Sequence, residues 1–161
     1  MSTDRLNWRV TGARHAGITV SDLDRSLEFY CRTLGLELLW RRLYDEPEIR
    51  KIVGVPEATS FDIAMLQIPG SDLTIELLEY RGCECRSAAA SPSDHGSGHF
   101  CLFVDRIDDL YSDLLRRGVR FRTPAGPVEM TSGANRGGKS LYSLDPDGYV
   151  IEFHQRPRQA S

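Results

Sequence analysis

The chain has 161 residues and a formal net charge of −3, a size that fits one ordinary domain or two small modules sharing a core. Its basic residues are scattered rather than clustered, which argues against a nucleic-acid or polyanionic partner, because such binding needs grouped cations to displace counterions. No apolar run reaches the length of a membrane span and residues 1–9 lack the apolar core of a signal peptide, so a small-molecule partner, no membrane and a cytoplasmic location are expected.

After a short tail (1–12), residues 14–20 form an apolar run that reads as a strand. Ser21-Asp22-Leu23-Asp24 then offers N-cap chemistry, and Leu23, Leu27, Tyr30 and Leu34 recur at helical spacing until Gly35. Strand-like runs follow at 36–43, 61–68 and 73–80. Between the first two of these, residues 44–59 mix charge with Ile49, Ile52, Val53 and Val55, which suggests a short helix or lid. Residues 81–97, rich in Ser, Ala and Gly, read as a linker.

The same order then returns. A strand at 98–104 leads into an amphipathic helix carrying Ile107, Leu110, Tyr111, Leu114 and Leu115, stopped by Gly118. Strands are expected at 119–123, 139–144 and 149–154, and residues 156–161 form a second tail. Each half is thus β-α-β-β-β, so the chain is expected to be α+β, with modules at 13–80 and 98–155. Both helices are expected to pack on the apolar face of a sheet.

Each half opens a strand with a histidine, His15 and His99, and closes its last strand with a glutamate, Glu76 and Glu152. Alternation places Ala16, Ile18 and Val20, and likewise Phe100, Leu102 and Val104, on the apolar face, so both histidines point the other way. Leu73, Ile75 and Leu77, with Tyr149, Ile151 and Phe153, leave Glu76 and Glu152 on that same helix-free face. If the helix crosses back and hairpins follow, the opening and closing strands run parallel as neighbours. Two imidazoles and two carboxylates at repeated positions are a set of borderline and hard metal ligands, and such donors do not choose among Ni, Co, Mn, Zn and Fe.

Other polar features are weaker. The four cysteines, Cys31, Cys83, Cys85 and Cys101, show no disulfide spacing, and free thiols are expected. Cys83 and Cys85 with His95 and His99 make a less favoured zinc set, because the usual two-residue gap is missing. The loop at 131–139 is a candidate to bring Arg136 or Lys139 onto a substrate carboxylate, phosphate or CoA group. His154 is read as a rim residue, His95 as part of the solvated linker, Asp62 as an edge-facing carboxylate, and Trp8 and Trp40 as packing residues.

Taken together, His15 before Val20-Ser21-Asp22-Leu23, Phe29-Tyr30, Leu34-Gly35-Leu36, Ile75-Glu76-Leu77-Leu78, Gly98-His99, Asp145-Pro146-Asp147-Gly148 and Ile151-Glu152-Phe153 resemble the vicinal oxygen chelate superfamily. That superfamily includes glyoxalase I, methylmalonyl-CoA epimerase, extradiol dioxygenases and the bleomycin and fosfomycin resistance proteins. The resemblance, covering roughly His15 to His154, implies tandem βαβββ modules whose mixed sheets form a cup around one metal ion. His15, Glu76, His99 and Glu152 match the ligand places of the members similar to glyoxalase I. It implies an isomerase or lyase acting on a 2-oxo adduct or thioester, in which Glu152 or Glu76 removes a proton beside a carbonyl through an enediolate or enolate and the other returns it. An epimerase like methylmalonyl-CoA epimerase, an Fe(II) ring-cleaving dioxygenase and a non-catalytic drug-binding protein remain alternatives. A homodimer is expected, because exposed module edges invite pairing.

Overall fold

The β-branched and aromatic runs of the first half form four strands, β1 (His15–Thr19), β2 (Glu37–Tyr44), β3 (Ser60–Gln67) and β4 (Thr74–Arg81), in a mixed sheet ordered β1-β4-β3-β2. These come from a computed structural model that describes residues 7–87, 91–123 and 125–157. β1 runs parallel to β4, with Gly17 opposite Glu76, and the remaining pairings are antiparallel. In the second half, β5 (His99–Phe103), β6 (Arg120–Phe121), β7 (Val128–Glu129), β8 (Lys139–Leu144) and β9 (Val150–Gln155) form a second mixed sheet, ordered β5-β9-β8-β6 with β7 paired to β8. β5 runs parallel to β9, with Cys101 opposite Glu152. The strand expected at 119–123 is only two residues long, and β7 is an addition to the expected pattern.

The helices are α1 (Leu23–Leu27), which continues as a π-helical turn over Glu28–Thr33, α2 (Pro47–Val53) and α3 (Ile107–Arg116). α2 is the short helix expected in 44–59; Pro47 starts it, and Gly54 ends it in the left-handed conformation at φ 70°, its N–H donating to the Arg50 carbonyl. Its segment packs on Phe61 and Ile63, with Leu78, Tyr80 and Cys83 joining the cluster. Cys83 is therefore an apolar packing residue here.

The chain divides into two compact units, Met1–Leu23 with Gly35–Cys83, and Asp24–Leu34 with Glu84–Ser161. In the first, Ile75, Leu77 and Leu66 are fully buried, each contributing about 1.5–3 kcal/mol by leaving water. In the second, residues 24–34 pack with the later half of the chain: Tyr30, fully buried, donates its hydroxyl to Asp145 Oδ2 at 2.9 Å. Asp145 Oδ1 accepts from the Asp147 and Tyr149 N–H groups, closing the turn that feeds β9.

One device occurs in both units. The Leu23 N–H, at the start of α1, donates to Glu79 Oε2 at 2.8 Å, and the Ile107 N–H, at the start of α3, donates to Gln155 Oε1 at 2.9 Å. Glu79 and Gln155 each lie three residues beyond the glutamate of interest on their strand, so the strand that carries the glutamate also caps the helix.

Asp62 is not at the surface: it is 5% exposed, held by Arg41 at 3.1 and 2.8 Å and by Arg81 at 2.9 Å. Paired cations from the neighbouring strands make that burial tolerable. Trp8 and Trp40 do not pack into the core; they are 64% and 37% exposed. No helix among the described residues is long and apolar enough to cross a membrane.

Candidate metal centre

Register decides what each sheet presents. In the first unit, pairing of His15 with Thr74 and of Gly17 with Glu76 puts His15, Gly17, Glu76 and Met65 on one face. Ile18, Ile75 and Leu77 fill the other, buried one. His15 Nε2 lies 3.4 Å from Glu76 Oε2, and the two side chains keep 30% and 19% of their surface exposed. The second unit repeats the arrangement: His99 Nε2 lies 3.4 Å from Glu152 Oε2, with 43% and 20% exposed. The structure thus brings each expected histidine beside the expected glutamate, at the same register position in both units.

These pairs fit a metal by their chemistry. At 3.4 Å the nitrogen and oxygen are farther apart than in a well-formed N–H···O bond, which clusters near 2.9–3.0 Å. The gap is close to that between two neighbouring donors each about 2.1 Å from a shared ion. Imidazole nitrogen and carboxylate oxygen are both ligands for first-row divalent ions. Each unit alone supplies two donors, and among the described residues no group of three or more His, Cys, Asp or Glu is drawn together.

The second unit adds groups that the sequence reading did not single out. Tyr142, opposite Glu152 on β8, sets its hydroxyl 3.2 Å from the same His99 Nε2. Burial, with the Glu152 charge, pushes the phenol up from its ordinary value, so the hydroxyl keeps its proton. Cys101 faces Glu152; burial, followed by the Glu152 charge and hydrogen bond, pushes its thiol up to about 11. Both follow from counting back through the Asp145–Gly148 turn and across the parallel pair, since residues opposite a glutamate share its face.

His154 shares the Glu152 face but is 6% exposed rather than at the rim, with Nδ1 2.7 Å from Ser140 Oγ and its ring edge-on to Phe103. Lys139 is drawn away from the site: it pairs with Asp108 of α3 at 2.6 Å, on the face shared with Leu141 and Phe153. Arg136 is exposed on its loop, and that loop instead contributes Ala134 and Asn135 to a depression beside Cys101, Glu152 and His154. Arg156 and Phe103 line the same depression. His95 is exposed in the linker, as expected.

Comparison with known proteins agrees with this architecture. The family model for the Glyoxalase/Bleomycin resistance protein/Dioxygenase superfamily matches residues 12–153. A probable lactoylglutathione lyase of Synechocystis is 31% identical, over 88% of this chain and 92% of its own length. A 2-epi-5-epi-valiolone epimerase of an Actinomyces species is 28% identical, over 91% of this chain and 80% of its own. The chain spans about half, 48%, of the lactoylglutathione lyase of Schizosaccharomyces pombe, with 29% identity. Among solved structures, a glyoxalase family protein of Bacillus cereus superposes with a TM-score of 0.78 at 19% identity, covering 95% of this chain and 99% of that one. The glyoxalase I of Leishmania major superposes with a TM-score of 0.57 at 28% identity, covering 88% and 84%. Members of this group bind small molecules and generally use a divalent metal. With nearly its whole length matched by the family model and its two mixed sheets matching the fold, the chain belongs to the Glyoxalase/Bleomycin resistance protein/Dioxygenase superfamily.

Proposed function

We propose that the protein is a metal-dependent isomerase or lyase of the glyoxalase I type, in which His15, Glu76, His99 and Glu152 hold one divalent ion. The observation that carries this reading is the recurrence of a His Nε2 and a Glu Oε2 3.4 Å apart on the same face of both sheets. Each unit supplies half the ligand set, so the units combine within one chain or across a homodimer. A divalent ion held by these residues would supply Lewis-acid polarisation of the substrate, worth several kcal/mol of charge stabilisation.

The chain's own groups supply the rest. Glu152, one-fifth exposed, reaches the proton on the carbon beside the substrate carbonyl and takes it as general base. For isomerisation Glu152 hands the same proton on to the neighbouring carbon; for epimerisation Glu76, entering the cycle protonated, gives its proton to the opposite face of the same carbon while Glu152 keeps the one it took, and proton exchange with solvent resets the pair. The Tyr142 hydroxyl, kept protonated beside His99, donates to the oxygen on which negative charge gathers. Retention of a His–Glu pair in both units favours this chemistry over ring-cleaving oxygenation and over metal-free drug binding. The similarity to a valiolone epimerase over most of both chains supports epimerisation as the second reading, since it shares the proton-abstraction step.

The test uses the full chain supplied with Ni²⁺, Co²⁺ or Zn²⁺ and the hemithioacetal of methylglyoxal and glutathione, with thioester formation as readout. Turnover that stops with EDTA and falls by about 10²-fold or more in Glu152→Gln supports the lyase reading. Turnover that persists unchanged in both cases contradicts it. Deuterium exchange beside the carbonyl without thioester formation selects the epimerase.

A further inference from the structure

The depression beside Glu152 has a volume of about 570 Å³, and its floor and far side differ in character. Glu152 and His154 lie on the sheet face, while Asn135 comes from the loop before β8 and Arg156 from the residue after β9. The Arg156 guanidinium carbon sits 4.0 Å from the centre of the Phe103 ring. Other arginines in this unit sit against a carboxylate, among them Arg25 on Asp147 and Arg116 and Arg117 on Asp113. Arg156 lies over a ring instead.

That posture has a chemical consequence. Stacking engages the flat face of a guanidinium and leaves its N–H donors in the plane, where a carboxylate meets them two at a time. The ring beneath, though 62% exposed, meets the buried His154 ring edge to face, and His154 Nδ1 lies 2.7 Å from Ser140 Oγ. Ser140, His154, Phe103 and Arg156 thus make a run of contacts from the buried sheet face out to an exposed cation, and the stacking restricts the guanidinium's orientations, which lowers the entropy lost when an anion docks. Asn135 lines the same space, and its residue type can offer further donors.

We propose that Arg156, oriented by Phe103, is the specificity residue of this site and takes a carboxylate at the far end of the substrate. The substrate class is then a 2-oxo compound whose carbonyl end lies at the His99–Glu152 pair and whose tail ends in a carboxylate. The placement of the carbonyl end rests on the metal-dependent reading above; the carboxylate subsite is a property of Arg156, Phe103 and Asn135.

The test pairs probes that differ only in the tail: 2-oxoglutarate against 2-oxopentanoate, and 2-oxoadipate against 2-oxohexanoate. Binding to the full chain is titrated by ¹⁵N NMR at the Arg156 side-chain Nε–H and backbone amides, with zinc supplied and after EDTA. At least one diacid binds tenfold or more tighter than its partner, Arg156→Ala brings that ratio near one while leaving the monoacid unchanged, and Arg156→Lys restores only part of it. A ratio near one in the wild type, no diacid binding, or a preference that survives Arg156→Ala overturns the proposal. A preference present with and without zinc, where zinc tightens none of the probes, upholds the carboxylate subsite while sinking the metal-dependent reading. Zinc-tightened binding of both members of a pair with no preference does the reverse.

Discussion

Gly17 and Cys101 occupy the same register position in their respective units, each directly opposite the glutamate of its site: Gly17 faces Glu76 and Cys101 faces Glu152. The two halves therefore share a His–Glu pair but differ in what stands beside it. A Cβ at Gly17 would lie 3.9 Å from Glu76 Oε2, ordinary contact, whereas Cys101 places a thiol against Glu152.

Because burial and Glu152 push the Cys101 thiol up to about 11, it is neutral at pH 8 and a poor nucleophile. Cys85 and Cys101 are both exposed, so accessibility does not separate them, and iodoacetamide at pH 8 should label Cys101 more slowly than Cys85, with Cys101 labelling rising as the pH approaches 11. Mass spectrometry of tryptic peptides checks this; equal labelling at pH 8 contradicts it.

Tyr30→Phe removes the hydroxyl that serves the buried Asp145 and should cost about 1–3 kcal/mol in urea unfolding. Burial raises the Asp145 carboxyl above its ordinary value, and the Tyr30 hydrogen bond opposes that rise. Losing the bond raises the folded value further, so the stability deficit is largest at neutral pH. It should shrink as the pH falls through that raised value toward the unfolded one near 3.9.

Asp62 gives the opposite sign. The Arg41 hydrogen bond, with the Arg41 and Arg81 charges, holds its carboxyl below the usual range. Its contribution is complete above the unfolded value, about 3.9, and fades as the pH drops through the lower folded value. Asp62→Asn should cost about 2 kcal/mol at pH 7, since two arginines lose a charged acceptor, and the difference should narrow below about pH 4. Parallel urea titrations at the two pH values measure it.

Gln155→Ala and Glu79→Ala each remove the acceptor for the first N–H of a helix, and each should cost about 1 kcal/mol. Hydrogen exchange should quicken locally, at the start of α3 in the first variant and of α1 in the second. Unchanged protection at Ile107 or Leu23 contradicts the capping role.

The repeated His–Glu pairs and the parallel neighbours β1/β4 and β5/β9 were legible because strand alternation fixes which face a side chain takes, and the turns fix direction. The short helix α2 was legible as a short helix or lid from the mixed charge around Ile49, Ile52, Val53 and Val55, whereas its ends at Pro47 and Gly54 were not read. Long-range partners were not. The apolar stripe of residues 23–34 shows that it covers a sheet but not that Tyr30 meets Asp145, more than a hundred residues on. The sequence around the helix starts does not show that Glu79 and Gln155 reach the Leu23 and Ile107 N–H groups from distant strands. A carboxylate in an apolar strand reads as exposed until Arg41 and Arg81 are seen to flank it. Lys139 was misplaced because the serines at 140 and 143 hide the alternation that puts it on the α3 face.

The central claim is that His15, Glu76, His99 and Glu152 jointly hold one divalent ion. Elemental analysis of gently purified full-length protein beside the four single alanine variants tests it most directly. The account predicts near one equivalent of a divalent metal per chain in the wild type and its loss in every variant. A wild type that holds no metal and takes up none when supplied, or variants that keep a full equivalent, would contradict it.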